Sequence, residues 1–362
     1  MAQQRTLGDG DSVWTVSGYD QVRDALGDPR LSLDKANATN YTGLRLPAVF
    51  GRNLLNMDPP DHTRIRALVG QAFTPRTVDK LRPFIENTAA ELAATLADGA
   101  DLIGFYAAPL SLTVIGELLG VPGEARSRFR SWTSTLLAPK DRADAAHAMG
   151  AMQDFLTDLV HRLREEPAEG LLSELVEAHD HGDRLSEDEL VSLAFLLLWA
   201  GYENTVNLIG NTVHALLTHP RQLADVRADP GLIPAAVEET LRWNAPAPSA
   251  IRRFPMEDVD LDGTTIPAGA TVLLSLADAG RDPDRYADAE DYLLHRTDGG
   301  NLSLGRGIHY CVGAPLARLE AEVAVSVLLD AAPGLALAVP EVELRWTGGH
   351  RTRGLLQLPV TL

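Results

Sequence analysis

Apolar residues in this chain recur mostly at helical spacing, in segments punctuated by Gly and Pro. Trp14-Thr15-Val16 predicts a short strand, and Asp20 to Leu26 a helix stopped by Gly27-Asp28-Pro29. The polar residues 1–12 ahead of them predict a frayed, disordered end. Between 31 and 56 no period is sustained and Asn is frequent, which predicts a long loop of the kind that often carries function. Asp58-Pro59-Pro60-Asp61 opens a helix that sets His62 and Arg66 on one face, four residues apart. From Val78 to about Glu166 the pattern is that of successive amphipathic helices, with breaks at Asp98-Gly99, Gly120-Val121-Pro122-Gly123 and Ala138-Pro139-Lys140.

The longest helix starts at Ser186-Glu187-Asp188-Glu189, a capping box, and meets no Pro until Pro220. At the standard rise it spans about 45–50 Å. Leu190 to Trp199 is apolar nearly all round, so this half must be buried. Small and polar residues follow, Ala200-Gly201-Tyr202-Glu203-Asn204-Thr205, and they fit either a kink at Gly201 with a wet face or a site inside a buried helix. Val237 to Arg242 places Glu239 and Arg242 on one helical face. Asp262-Gly263 predicts a hairpin between Val259-Asp260-Leu261 and Thr264-Thr265-Ile266. Val342 to Val360 reads as strands around Gly348-Gly349-His350.

Charge and composition narrow the picture. The net charge is −18 and 45% of the 362 residues are hydrophobic, so a large core is possible and non-specific nucleic-acid binding is not expected. The apolar run from Leu193 to Gly201 is far shorter than the ~20 residues a membrane helix needs. A lone cysteine rules out an intrachain disulfide and suits a reducing cytoplasm.

That cysteine, Cys311, stands in Leu304-Gly305-Arg306-Gly307-Ile308-His309-Tyr310-Cys311-Val312-Gly313, just ahead of a helix opened by Ala314-Pro315. A helix N-terminus favours an anion and so favours thiolate, the metal-binding form. One thiolate is too few for a zinc or iron–sulfur site, but it suffices as the axial ligand of a heme. By itself a single cysteine could equally be a small buried hydrophobe.

The motif Gly-x-Gly-x-His-x-Cys-x-Gly followed by Ala-Pro-Leu-Ala-Arg-Leu-Glu resembles the heme loop of the bacterial soluble cytochrome P450 family. The position usually held by Phe, seven before the cysteine, is Leu304 here. The resemblance covers nearly the whole chain. It implies one mainly α domain with small β-sheets (α+β) over residues 1–362, with an N-terminus shorter than in many relatives. Heme b would lie between the long helix and the cysteine loop, with Cys311 as axial ligand and Ala200, Gly201, Leu304, Gly305 and Gly313 around it. His62, Arg66, Arg253 and His309 would bind the propionates, which need fixed donors. Glu239 and Arg242 match a structural pair whose third partner is either His295 or Arg296. The loop at 31–56, Trp199, Ala200, Asn204, Ala250, Ile251 and the tip at Gly348-Gly349-His350 would face substrate, under a lid around Trp132 to Met152.

A cytoplasmic, monomeric monooxygenase follows from that resemblance. It would oxidise a small hydrophobic secondary metabolite with O2 and electrons from a ferredoxin and its reductase, since no flavin-type domain is present. Glu203, Asn204 and Thr205 are the catalytic candidates, and here the chain departs from the family: Asn204 stands where a Thr is usual. Thr205 follows it, but one helical step turns it by about 100°, so it is no equivalent. Either an ordered water held by Asn204 does the work of the alcohol, or oxygen activation is altered, by substrate hydroxyls, peroxide use or coupling chemistry. A heme sensor without turnover is a third class, disfavoured by the retention of Glu203.

Overall fold

The capping box at Ser186 is formed, the Ser side chain accepting from Glu189 N and the Glu189 carboxylate accepting from Ser186 N. It opens an unbroken 32-residue helix, Glu187–Thr218, so Gly201 does not interrupt the helix. Every residue from Leu190 to Leu198 is buried, as all-round apolarity requires. The computed structural model that shows this describes residues 2–6, 12–39, 41, 47–137, 140–180, 185–347, 349 and 351–362.

Helices Ala108–Leu119, Arg142–Glu165, Ile233–Trp243 and Ala314–Ala331 pack against this central helix, and Arg82–Ala93 packs on Ala314–Ala331. Leu193, Leu197 and Leu316 belong to one large apolar core, with Trp199, Ala200, Leu304 and Val312 packed against it. The cysteine loop and the middle of the central helix therefore border the same core. The segment Trp132 to Met152 falls on the helices Gly123–Leu137 and Arg142–Glu165; residues 138 and 139 between them lie outside the described residues.

The sheets are small. Asp262 and Gly263 have φ of 57° and 76° and turn the hairpin between Val259–Leu261 and Thr264–Ile266, as their sequence predicts. The expected disorder over residues 1–12 is corrected for residues 2–6, residues 1 and 7–11 lying outside the described residues: Ala2–Thr6 is a strand, antiparallel to Ser12–Val16, which in turn runs parallel to Val272–Leu274. Its order comes from backbone pairing, because four of its five side chains are exposed and leave no hydrophobic signature. The C-terminal expectation is only partly met. A bridge joins Trp346 to Leu355 and a strand covers Pro359–Thr361, but Glu341–Glu343 is a 3-10 turn. Gly348 and His350 lie outside the described residues. In the 31–56 region, Leu31–Ser32 pairs with Phe254–Pro255, and residues 42–46 lie outside the described residues.

Candidate cofactor and active site

Two left-handed glycines, Gly305 (φ 77°) and Gly307 (φ 69°), fold the loop so that Cys311 N donates to Leu304 O at 2.8 Å. Gly313 has an ordinary φ of −81°, and a Cβ there would make only a normal contact with Phe73. Backbone freedom is therefore not the reason for glycine at 313. The half-buried Cys311 thiol is pushed up by burial. Hydrogen bonds from the backbone of Gly313 and Ala314, with Arg66 and Arg318 nearby, act the other way and favour thiolate.

The loop is buckled to its surroundings by two adjacent glutamates. Glu238 binds Arg318 on the helix after the cysteine and accepts from Asn301 before it at 3.2 Å. Glu239 receives Arg242 through two bonds of 2.7 Å and Arg296 at 2.8 Å, so the third partner left open between His295 and Arg296 is Arg296. His295 instead lies 3.7 Å from Asp225 on an exposed pair. Arg242 also donates to the carbonyls of Gly280, Ala289 and Asp291, at 2.7 to 2.8 Å.

Four basic side chains converge beside the loop from three parts of the chain. Helix Asp61–Gly70 supplies His62, which is buried, and Arg66, whose Nη2 donates to Tyr310 O at 2.5 Å. Arg253 is buried on a segment bridged to Val272, and His309 comes from the loop itself. The His62 and His309 rings stand 4.1 Å apart. His309 is pushed down to about 3 by burial, Arg253 and His62, against the opposing pull of Asp58. Arg253 is lowered to about 10 by its burial. Neither ring nitrogen of His62 nor Nη1 of Arg253 has a hydrogen-bond partner among the described residues. Buried donors that repel one another fit a dianionic group such as a pair of propionates, each carboxylate satisfying several of them. The residues therefore fit heme.

On the central helix, Asn204 is exposed while Thr205 is buried, and Thr205 Oγ1 donates back to Gly201 O at 3.0 Å. In this arrangement the Thr205 hydroxyl proton is donated to the backbone. A Cβ at Gly201 would come within 2.7 Å of Ile115, so the glycine lets helix Ala108–Leu119 approach closely. Glu203 is half-buried; burial raises its pKa, while a hydrogen bond from Thr352 and the charge of Arg351 lower it. Trp199, Ala200, Ala250 and Ile251 are all half-buried apolar groups. Ala250 is fastened to the end of strand Val272–Leu274 by its N–H to Leu274 O at 2.9 Å.

Sequence reasoning missed Asp58, Glu238 and Thr352. Asp58 accepts from Ser32 and Leu33 and lies among the four basic groups. In sequence it reads only as the start of a helix. Thr352 carries no local signal at all.

A family model described as cytochrome P450 matches residues 128–331. The chain is 49% identical to the cytochrome P450 monooxygenase PikC of Streptomyces venezuelae, over 97% of this chain and 86% of that protein. It is 42% identical to 6-deoxyerythronolide B hydroxylase of Saccharopolyspora erythraea, over 98% and 91% of the two chains. Among solved structures, the tirandamycin C-bound P450 monooxygenase TamI superposes with a TM-score of 0.92 at 43% identity, covering all of this chain and 94% of that one.

Proposed function

The chain belongs to the cytochrome P450 family and is a monooxygenase, and from that premise we propose that Cys311 ligates heme b and that the pocket above it oxidises a hydrophobic secondary metabolite. The observation that carries this reading is the buried cluster of His62, Arg66, Arg253 and His309 beside the cysteine loop, two of whose members hold unpartnered donors. These four residues hold the propionates, and Leu304, Gly305 and Gly313 shape the bed on the cysteine side. Thiolate-bound heme supplies the activation of O2 from which one oxygen atom is inserted into substrate.

The rest is the work of side chains. Trp199, Ala200, Ala250 and Ile251 give an apolar wall that excludes water and orients substrate. Burial makes Glu203 easier to protonate than an exposed carboxylate, against the pull of Thr352 and Arg351, as suits an acid that handles protons. Asn204 presents its amide on the open side of the helix, where it can donate and accept but not readily pass a proton on. Electrons come from a ferredoxin and its reductase. The protein works as one cytoplasmic, monomeric domain; among the described residues no helix is long and apolar enough to cross a membrane.

A second reading concerns oxygen activation and is favoured by the withdrawal of Thr205 to Gly201 O. With no side-chain hydroxyl from residues 203–205 directed to the site, a hydroxyl of the substrate completes the proton relay. The function is tested by screening hydrophobic metabolites for a shift of the heme Soret band, then running hits under 18O2 with ferredoxin and reductase. One labelled oxygen in the product is expected. Soret-shifting compounds that never yield labelled product would overturn the monooxygenase reading in favour of a sensor.

A further inference from the structure

One side of the central helix carries a polar stripe through otherwise apolar surroundings: Glu203, Asn207, Asn211 and His214, spaced to fall on one face. The C-terminal segment is fastened to it turn by turn. Asn207 Nδ2 donates to Thr352 Oγ1 at 3.0 Å. Asn211 Nδ2 donates to the carbonyls of Arg353 and Asn244, both at 3.0 Å. His214 Nε2 lies 3.3 Å from Glu341, and its ring meets Trp346 edge-on at 5.1 Å. The fit is close: a Cβ at Gly354 would come within 1.9 Å of Asn207 Oδ1. The segment therefore has one register on the helix, and that register sets Thr352 beside Asn207, one helical turn from Glu203 on the same face.

We propose that Thr352 is a positioning residue for Glu203, its hydroxyl oriented by Asn207 so that its proton points to the carboxylate. A hydroxyl has one proton and two lone pairs, and an amide NH2 can only donate. The donation from Asn207 occupies a lone pair of Thr352 and leaves its proton for Glu203, an ionised carboxylate being acceptor-only. Thr352 thereby fixes where Glu203 sits and favours its charged form. The other groups that bear on the acid are Arg351, which also favours the charged form, and Tyr202, itself influenced by Arg130. This inference rests on the reading of Glu203 as the acid that handles protons for oxygen chemistry.

The test uses the heme-loaded protein without substrate and follows the carboxyl stretch of Glu203 by infrared titration, isolated as the difference from Glu203→Gln. Thr352→Val keeps the shape and deletes the donor; its midpoint should rise by about one pH unit, since a hydrogen bond to a charged group is worth at least that much. Thr352→Ser should titrate with the wild type. Asn207→Ala leaves Thr352 in place but frees its rotor, and should shift the midpoint in the same direction as Val, by less. If Thr352→Val does not fold, the Asn207→Ala and Thr352→Ser pair decides alone. A Val or Ala variant that titrates with the wild type, or a Ser variant that behaves like Val, overturns the proposal. A wild type lacking the red-shifted carbon-monoxide band of a heme thiolate would instead overturn the family chemistry, whatever the titration shows.

Discussion

His309 and Arg253 show how much of the site is electrostatic tension between individual residues. His309 is held down to about 3 in the folded chain, against an ordinary value near 6.5. The unfolded chain then binds the proton first, so the heme-free protein loses stability as pH falls below about 6.5 and continues to lose it down to about 3. Denaturation of apoprotein at stepped pH should show this slope, flattened in His309→Asn; an unchanged slope would remove His309 from the cluster. Bound propionates should reduce the same slope in the holoprotein. At the helix, Thr205→Val should leave the ratio of product to peroxide within about twofold and cost about 0.5–1.5 kcal/mol of stability, the value of one hydrogen bond. Asn204→Thr separates the two oxygen readings: if substrate hydroxyls assist, deoxy analogues divert electrons to peroxide in the wild type and recover product in the variant. Cys311, His62, Arg253 and the Asn204 departure were visible as candidates because their motifs are local. Thr352 was not, because its role exists only where residue 352 meets residues 203 and 207.

Between elements, the two glutamates at 238 and 239 tie the helix Ile233–Trp243 to both flanks of the cysteine loop. Glu239 and Arg242 stand out in sequence as an i,i+3 pair, but such pairs are common and worth little on a surface. Burial changes their weight, and burial is a property of the assembled fold. Arg296→Leu should cost about 3–5 kcal/mol, as breaking a buried pair does, whereas His295→Ala should stay within ~0.5 kcal/mol. Urea midpoints of the two variants would check this, and equal losses would contradict it. The helices themselves were legible from caps and period, the central one to within a residue. The strand Ala2–Thr6 was not, since its pairing is written in backbone hydrogen bonds rather than in alternating apolar residues.

Over the whole molecule, the net charge of −18 predicts repulsion from an acidic ferredoxin, so association needs a local exception. Arg64 and Arg318 do not provide it, being paired with Glu189 and Glu238. Arg306 is exposed on the cysteine loop with Ile308 and Tyr310 exposed near it, a small mixed patch. Ferredoxin-driven reduction should slow with rising ionic strength and slow further in Arg306→Glu, while Arg64→Gln leaves the rate unchanged. Stopped-flow reduction indifferent to salt and to Arg306→Glu would reject this patch. The proposed oxygen chemistry depends on a thiolate-bound heme at Cys311, and the carbon-monoxide difference spectrum of the reduced protein tests that most directly. The wild type should give the red-shifted thiolate band, and Cys311→His reconstituted with heme should lose it, because imidazole donates less charge to the iron. The same red-shifted band in wild type and variant would show that Cys311 is not the ligand.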